Sequence, residues 1–128
     1  MQKSFYELSK EIKKKFNPNL LLEIGSNDGA LLKNFGSKKV IGVEPCSNLA
    51  NITRKKGYKI FDEYWNLNLA KKLKKKYKSV DLIYSANTLT HISDLNNVFS
   101  SLSHLLTDNG VIIIEDPSLL ECLSLIHI

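Results

Sequence analysis

Residues 20–24 read LLLEI, an apolar run broken only by Glu23, and a glycine-bearing turn, 25–29, follows at once. A short run with no polar face fits a strand covered on both sides, and two-sided cover is what parallel sheets with crossover helices provide. The rest of the chain alternates in the same way. Phe5, Leu8, Ile12 and Phe16 recur at helical spacing behind Ser4 and Glu7, a capping-box pattern, and Asn17-Pro18 ends that helix. A second helix is expected after Gly29, through Leu31, Leu32 and Phe35, closed by Gly36. Val40–Val43 reads as a strand, 47–56 as a helix stopped by Gly57, and 58–61 as a strand. Asn66 is placed to cap a helix whose inner stripe is Leu69, Leu73 and Tyr77. Val80–Ser85 is a further strand, and Leu95, Val98, Phe99, Leu102, Leu105 and Leu106 form a helical stripe. Asp108-Asn109-Gly110 then turns into a strand over 111–115. The expected fold class is α/β, a doubly wound parallel sheet of about five strands with helices on both faces.

A chain of 128 residues is one domain's worth. Its net charge of +5 comes almost wholly from lysine, with Arg54 the one arginine. Nucleic-acid recognition favours the bidentate arginine fork, so these lysines read as solvated helix faces and nucleic acid is not the expected partner. No apolar run approaches the ~20 residues of a membrane-spanning helix. The first sixteen residues carry Glu7 and Glu11 and lack the apolar core of a secretory leader. Cys46 and Cys122 are too few for a disulfide framework or a zinc site. A cytoplasmic protein without a bound metal is the expectation.

In a doubly wound sheet, ligands bind beyond the carboxyl ends of the strands, where the strand order reverses. The first strand ends in Glu23-Ile24-Gly25-Ser26-Asn27-Asp28-Gly29. Gly25 permits a tight turn, and Gly29 is expected to let the next helix start close to the sheet, its free N–H groups offering a seat for an anion. Glu44 ends the second strand at about the 20-residue spacing from the turn at which an acid accepts hydrogen bonds from ribose hydroxyls. Dinucleotide folds place a glycine where this chain has Asn27, to clear room for a pyrophosphate. Carboxylates around the turn repel a pyrophosphate and suit a cation. S-adenosylmethionine has a sulfonium, an ammonium, a ribose and no phosphate, so charge complementarity favours it over NAD.

These residues carry a resemblance. Glu23 to Gly29 resembles motif I of class I S-adenosylmethionine-dependent methyltransferases, and Gly42-Val43-Glu44-Pro45 resembles their second motif. With Asn48-Leu49-Ala50, the stretch from Asp81 to Asn87 and that from His91 to Asn96, the chain further resembles the C-methyltransferases that act on nucleotide-linked keto-deoxysugars. The resemblance covers residues 20 to 117 and implies a Rossmann-like sheet. It implies that Glu23, Gly25, Ser26, Asn27 and Gly29 shape the methionine end of the cofactor site and that Glu44 holds the ribose. Asp62, or its neighbour Glu63, would lie near the adenine, and Asn87 would sit beneath the sulfonium beside a small-molecule acceptor.

No catalytic base is evident. An unperturbed imidazole titrates near neutrality, which makes His91 a candidate base, but it is read first as a residue seating its loop. Asp94 is read as an N-cap, and His104 and His127 are not expected to act. Cys46 is read as structural, and Tyr64 and Trp65 as packing residues rather than an adenine platform. The absence of proline in Ser85-Ala86-Asn87-Thr88 argues against methylation of nucleic-acid bases. Two other classes stay open: an NAD-linked oxidoreductase fragment, and a non-catalytic interaction module that kept the fold.

Three regions are expected: an N-terminal helix over 1–19, the cofactor-binding core over 20–117, and a tail over 118–128 of uncertain origin. The resemblance implies a longer protein, so the core is expected to be incomplete, without the last two strands of a full class I fold. Residues 111–114 would then form an apolar edge strand, and the chain is expected to self-associate through it. A monodisperse monomer in size-exclusion chromatography would count against that expectation.

Overall fold

The computed structural model describes residues 4–86 and 95–115. The described chain forms helix α1 (Phe5–Lys15), strands β1 (Leu21–Ile24) and β2 (Val40–Val43), helix α2 (Ser47–Lys55) and strand β3 (Lys59–Phe61). Helix α3 (Leu67–Tyr77), strand β4 (Val80–Ser85), helix α4 (Leu95–Leu105) and strand β5 (Leu106–Ile114) follow. All strand pairs are parallel, in the order β3-β2-β1-β4-β5. The chain thus runs outward from β1 to β3, then returns to β4 on its other side. That reversal puts the switch point between the tips of β1 and β4, as expected of this fold class.

β1 is buried along its whole length, which explains its lack of a polar face. Leu22 and Ile24 point into one core with Ile41, Val43 and Ile83, covered by Leu69 and Leu73 of α3 and Leu102 and Leu105 of α4. Leu21 points the other way, against Leu8 and Ile12 of α1, Ala50 of α2 and Leu82 and Tyr84 of β4. Helices therefore lie on both faces.

The helix starts follow their side-chain chemistry. Ser4 Oγ accepts from the Glu7 N–H at 3.1 Å, and Asn66 Oδ1 accepts from the Leu69 N–H at 2.8 Å. At the far end of the sheet, the Asp81 carboxylate accepts from the Asn19 and Leu20 N–H groups, both at 2.7 Å, and so sets β4 against β1. Asp81 is a structural clamp remote from the strand tips.

Two expectations are corrected. The helix foreseen after Gly29 is instead a 3-10 turn over Leu32–Asn34, with a second over Ser37–Lys39. Asn27 and Gly29 hold positive φ angles of 56° and 82°, so helical geometry cannot start before residue 30. Gly36 is already extended, at φ −64° and ψ 140°, and the interval is too short to propagate an α-helix. Gly29 approaches α2 instead: a Cβ there would lie 2.8 Å from Thr53 Cγ2. The turn foreseen at Asp108-Asn109-Gly110 lies within β5. Val80 pairs with Leu106 but Leu82 with Val111, so the intervening residues bulge out of the ladder.

Trp65 is buried at 6% exposure and donates its indole N–H to Ser101 Oγ at 2.8 Å, joining the start of α3 to α4. Tyr64 beside it is 77% exposed. Trp65→Ala should therefore destabilise the fold by about 3–5 kcal/mol, whereas Tyr64→Ala should stay within about 0.5 kcal/mol. Urea unfolding of both variants checks the contrast.

Candidate functional site

The tips of β1 and β2 enclose a cavity of about 710 Å³, within the roughly 300–1,000 Å³ of small-molecule sites. Glu23, Gly25, Ser26, Asn27 and Asp28 form one wall, Glu44, Pro45 and Leu49 another, and Ala86 closes it from the tip of β4. The structure thus brings together Glu23, Gly25, Ser26, Asn27 and Glu44. Gly29 lies behind the turn against Thr53 rather than on the lining.

The turn is held by the sheet and by Glu44. The Gly25 and Ser26 N–H groups both donate to the Val43 carbonyl, at 2.7 and 3.1 Å. Glu44 Oε1 accepts from the Asn27 N–H and Oε2 from the Cys46 N–H, each at 2.9 Å. A carboxylate has about four lone-pair sites, so each oxygen keeps capacity for a further donor. Asn27 occupies the left-handed conformation more usual for glycine, yet it keeps a side chain where dinucleotide folds have none.

Glu23 is the unusual group. It is 4% exposed, and its Oε1 has no hydrogen-bond partner; neither does Ser26 Oγ, also buried. On its neighbouring strands Glu23 stands opposite Gly42 and Tyr84. Gly42 has no side chain to offer, and a Cβ there would meet Ser26 Oγ at 2.8 Å. The Tyr84 hydroxyl donates instead to Glu115 Oε2 at 3.1 Å. Burial, then the charges of Glu44 and Asp28, push the Glu23 carboxyl up from 4.5 to about 8. A buried carboxyl without a donor, facing a cavity, is what a site for a cationic or hydrogen-bond-donating ligand leaves open when its ligand is not counted.

Asp62 is not on the lining. It accepts from Arg54 at 3.0 Å and from Ser47 at 3.2 Å, bonds that lower its pKa. Glu63 pairs with Lys72 at 2.7 Å. Cys46 is exposed and contributes its backbone N–H to Glu44. His104 is exposed on α4, where its carbonyl accepts from Lys74. Asn87, His91, Asp94, Cys122, His127 and the 118–128 tail lie outside the described residues. Sequence reasoning passed over two lining residues with a readable signal. Asp28 lies inside the turn itself, and Phe5 begins the helical stripe that Leu8 and Ile12 continue into the core.

Comparison with known proteins agrees with this fold. A family model described as a methyltransferase domain matches residues 2–125. The C-methyltransferase NovU of Streptomyces niveus is 30% identical over 107 residues, which are 82% of this chain and 26% of that protein. Among solved structures, a SAM-dependent methyltransferase of Thermotoga maritima, a possible histamine N-methyltransferase, superposes with a TM-score of 0.63 at 23% identity. The match covers 87% of this chain and 50% of that one. The plantazolicin methyltransferase BamL, solved with SAH, gives 0.68 at 21% identity, over 94% of this chain and 49% of that one. At these identities the structural likeness is one of fold. The chain spans about a quarter of the length of NovU and half that of the structural relatives.

The Glu23 proton has a stability consequence. The native carboxyl titrates near 8 and the unfolded one near 4.5, so the native state holds the proton more tightly between those values. The Glu23 contribution to stability is therefore full below about 4.5 and is lost as pH rises through about 8. Glu23→Gln should flatten that decline, as read from denaturation midpoints measured across the interval.

Proposed function

This chain belongs to the methyltransferase domain family, and from that premise we propose that it forms the cofactor-binding core of an S-adenosylmethionine-dependent enzyme that methylates a carbon of a small sugar-type acceptor. The observation that carries the cofactor reading is the acid-lined cavity with its unpartnered Glu23 oxygen. When bound, the cofactor supplies an electrophilic methyl group on a positively charged sulfur. Glu23 and Ser26 would receive the donors and positive charge of its methionyl end, and the open lone pairs of Glu44 would accept from the ribose hydroxyls. Gly25 and the Asn27 backbone hold the turn against the sheet, so both carboxylates face one volume. A diphosphate in the same place would meet Asp28 and Glu44, which stands against the oxidoreductase reading as the family does.

The choice of a carbon acceptor rests on the NovU likeness and on the motifs shared with sugar C-methyltransferases. Such an acceptor must lose an acidic proton beside a carbonyl before a carbon can take the methyl. Among the described residues, no lining residue has the role of that base. His91 stays the candidate in this stretch of chain, with Asn87 proposed beside the acceptor. For the adenine, Asp62 stays the proposed neighbour, on condition that it gives up Arg54 or shares it. The core proposed to bind cofactor is 20–117, with α1 packed on one face of its sheet through Leu8 and Ile12.

Calorimetric titration tests the cofactor. Binding of S-adenosylhomocysteine and not NAD is expected; binding of NAD alone would restore the oxidoreductase reading, and binding of neither would favour a non-catalytic module. Glu44→Gln, which keeps an acceptor and loses the charge, should weaken S-adenosylhomocysteine by about 1–3 kcal/mol. An unchanged affinity in a folded variant would remove Glu44 from the ribose site.

A further inference from the structure

Helix α1 carries an apolar stripe whose exposure is graded along its length. Ile12 is 1% exposed, Leu8 7% and Phe5 42%. Ile12 and Leu8 pack with Leu21 and Tyr84 on one face of the sheet. Side chains alternate along a strand, so Glu23 projects from β1 on the same face as Leu21, one step nearer the strand's carboxyl end. Phe5 lies nearly one helical turn beyond Leu8, past the covered part of the sheet, and lines the cavity with Glu23 and Ala86. Phe5 therefore borders the cavity on the sheet face from which Glu23 projects. Its position is fixed rather than loose, because Ser4 caps the helix at the Glu7 N–H and Leu8 and Ile12 anchor the next two turns.

Among the described residues, Phe5 is the one aromatic on a lining that otherwise carries three acidic side chains, Glu23, Asp28 and Glu44. Both features have the same electrostatic preference. The face of an aromatic ring is the negative end of its quadrupole and attracts a cation, more strongly where water is displaced. An aliphatic side chain of similar size would close the cavity equally well without that attraction.

We propose that Phe5 is a specificity-determining residue, an aromatic wall against which the positively charged sulfur of the cofactor packs, so that the charged methyl donor is favoured over its neutral thioether product. The proposal rests on the cofactor reading above and deepens it. The ammonium is common to donor and product, so a wall facing that group alone would not separate them. Discrimination between the two compounds is therefore the diagnostic readout.

The experiment is calorimetric titration of the full chain with S-adenosylmethionine and, separately, with S-adenosylhomocysteine, for the unsubstituted protein, Phe5→Leu and Phe5→Tyr. Phe5→Leu should weaken S-adenosylmethionine about fivefold and S-adenosylhomocysteine by less than about twofold, while Phe5→Tyr keeps the original ratio. Thermal melting of the three proteins verifies that each is folded, as expected for a half-exposed position. Equal weakening of both compounds by Phe5→Leu, or no change in either, overturns the role of the ring while leaving the cofactor reading intact. Failure of the unsubstituted protein to bind either compound overturns the cofactor reading, and this inference with it.

Discussion

The site depends on one carboxylate that ties two strand tips together. Glu44 leaves β2 with both oxygens engaged, one by the backbone of the turn after β1 and the other by the backbone leading into α2. Those bonds turn two independent chain reversals into one rigid rim. Charge-assisted bonds to backbone N–H groups are among the stronger contacts a surface-proximal acid can make. They also explain why Glu44 is buried although it faces a cavity. The residue proposed to meet the ribose is thus a structural member of the rim, and in that proposal cofactor and backbone would share the same two oxygens.

Glu23 is the counterpart without such compensation. The fold places it on the central strand, opposite a glycine on one side and a tyrosine whose hydroxyl is turned to Glu115 on the other. Burial first, then the charge of Glu115 and the same hydrogen bond, pushes the Tyr84 phenol above its usual pKa. A carboxyl left in this state weakens the free protein and favours any ligand that brings a donor or a positive charge. Stability and recognition are in tension at this one position, and the surrounding core of β1, β2 and β4 is what tolerates it.

Much of the fold was legible because parallel strands buried on both faces cannot disguise themselves. Residues 20–24, 40–43 and 80–85 are nearly continuous apolar runs, and Ser4 and Asn66 announce helix starts by hydroxyl and amide chemistry. The misread elements are those in which conformation is decided by a few φ angles. Asn27 and Gly29 delay helical geometry until Gly36 is too near, and no hydrophobic period reports that. The candidate site was half legible. Spacing pointed to Glu44 and the glycine turn, but the isolation of Glu23 depends on register across three strands. The contribution of Phe5 depends on how far α1 overhangs the sheet. Neither is a property of neighbouring letters in the sequence.

Helix α4 passes into β5 without a connecting loop, Leu105 closing one element and Leu106 opening the next. The spare length is instead stored between Leu106 and Val111, where the ladder skips. Asp108 and Asn109 stand exposed there, while the ladder resumes at Val111 beside β4. Insertions and deletions among descendants of this chain should collect in that reservoir, since shortening it disturbs no core residue. The crevice between β1 and β2 has no comparable slack, because its rim is tied by the Glu44 bonds to the Asn27 and Cys46 backbone.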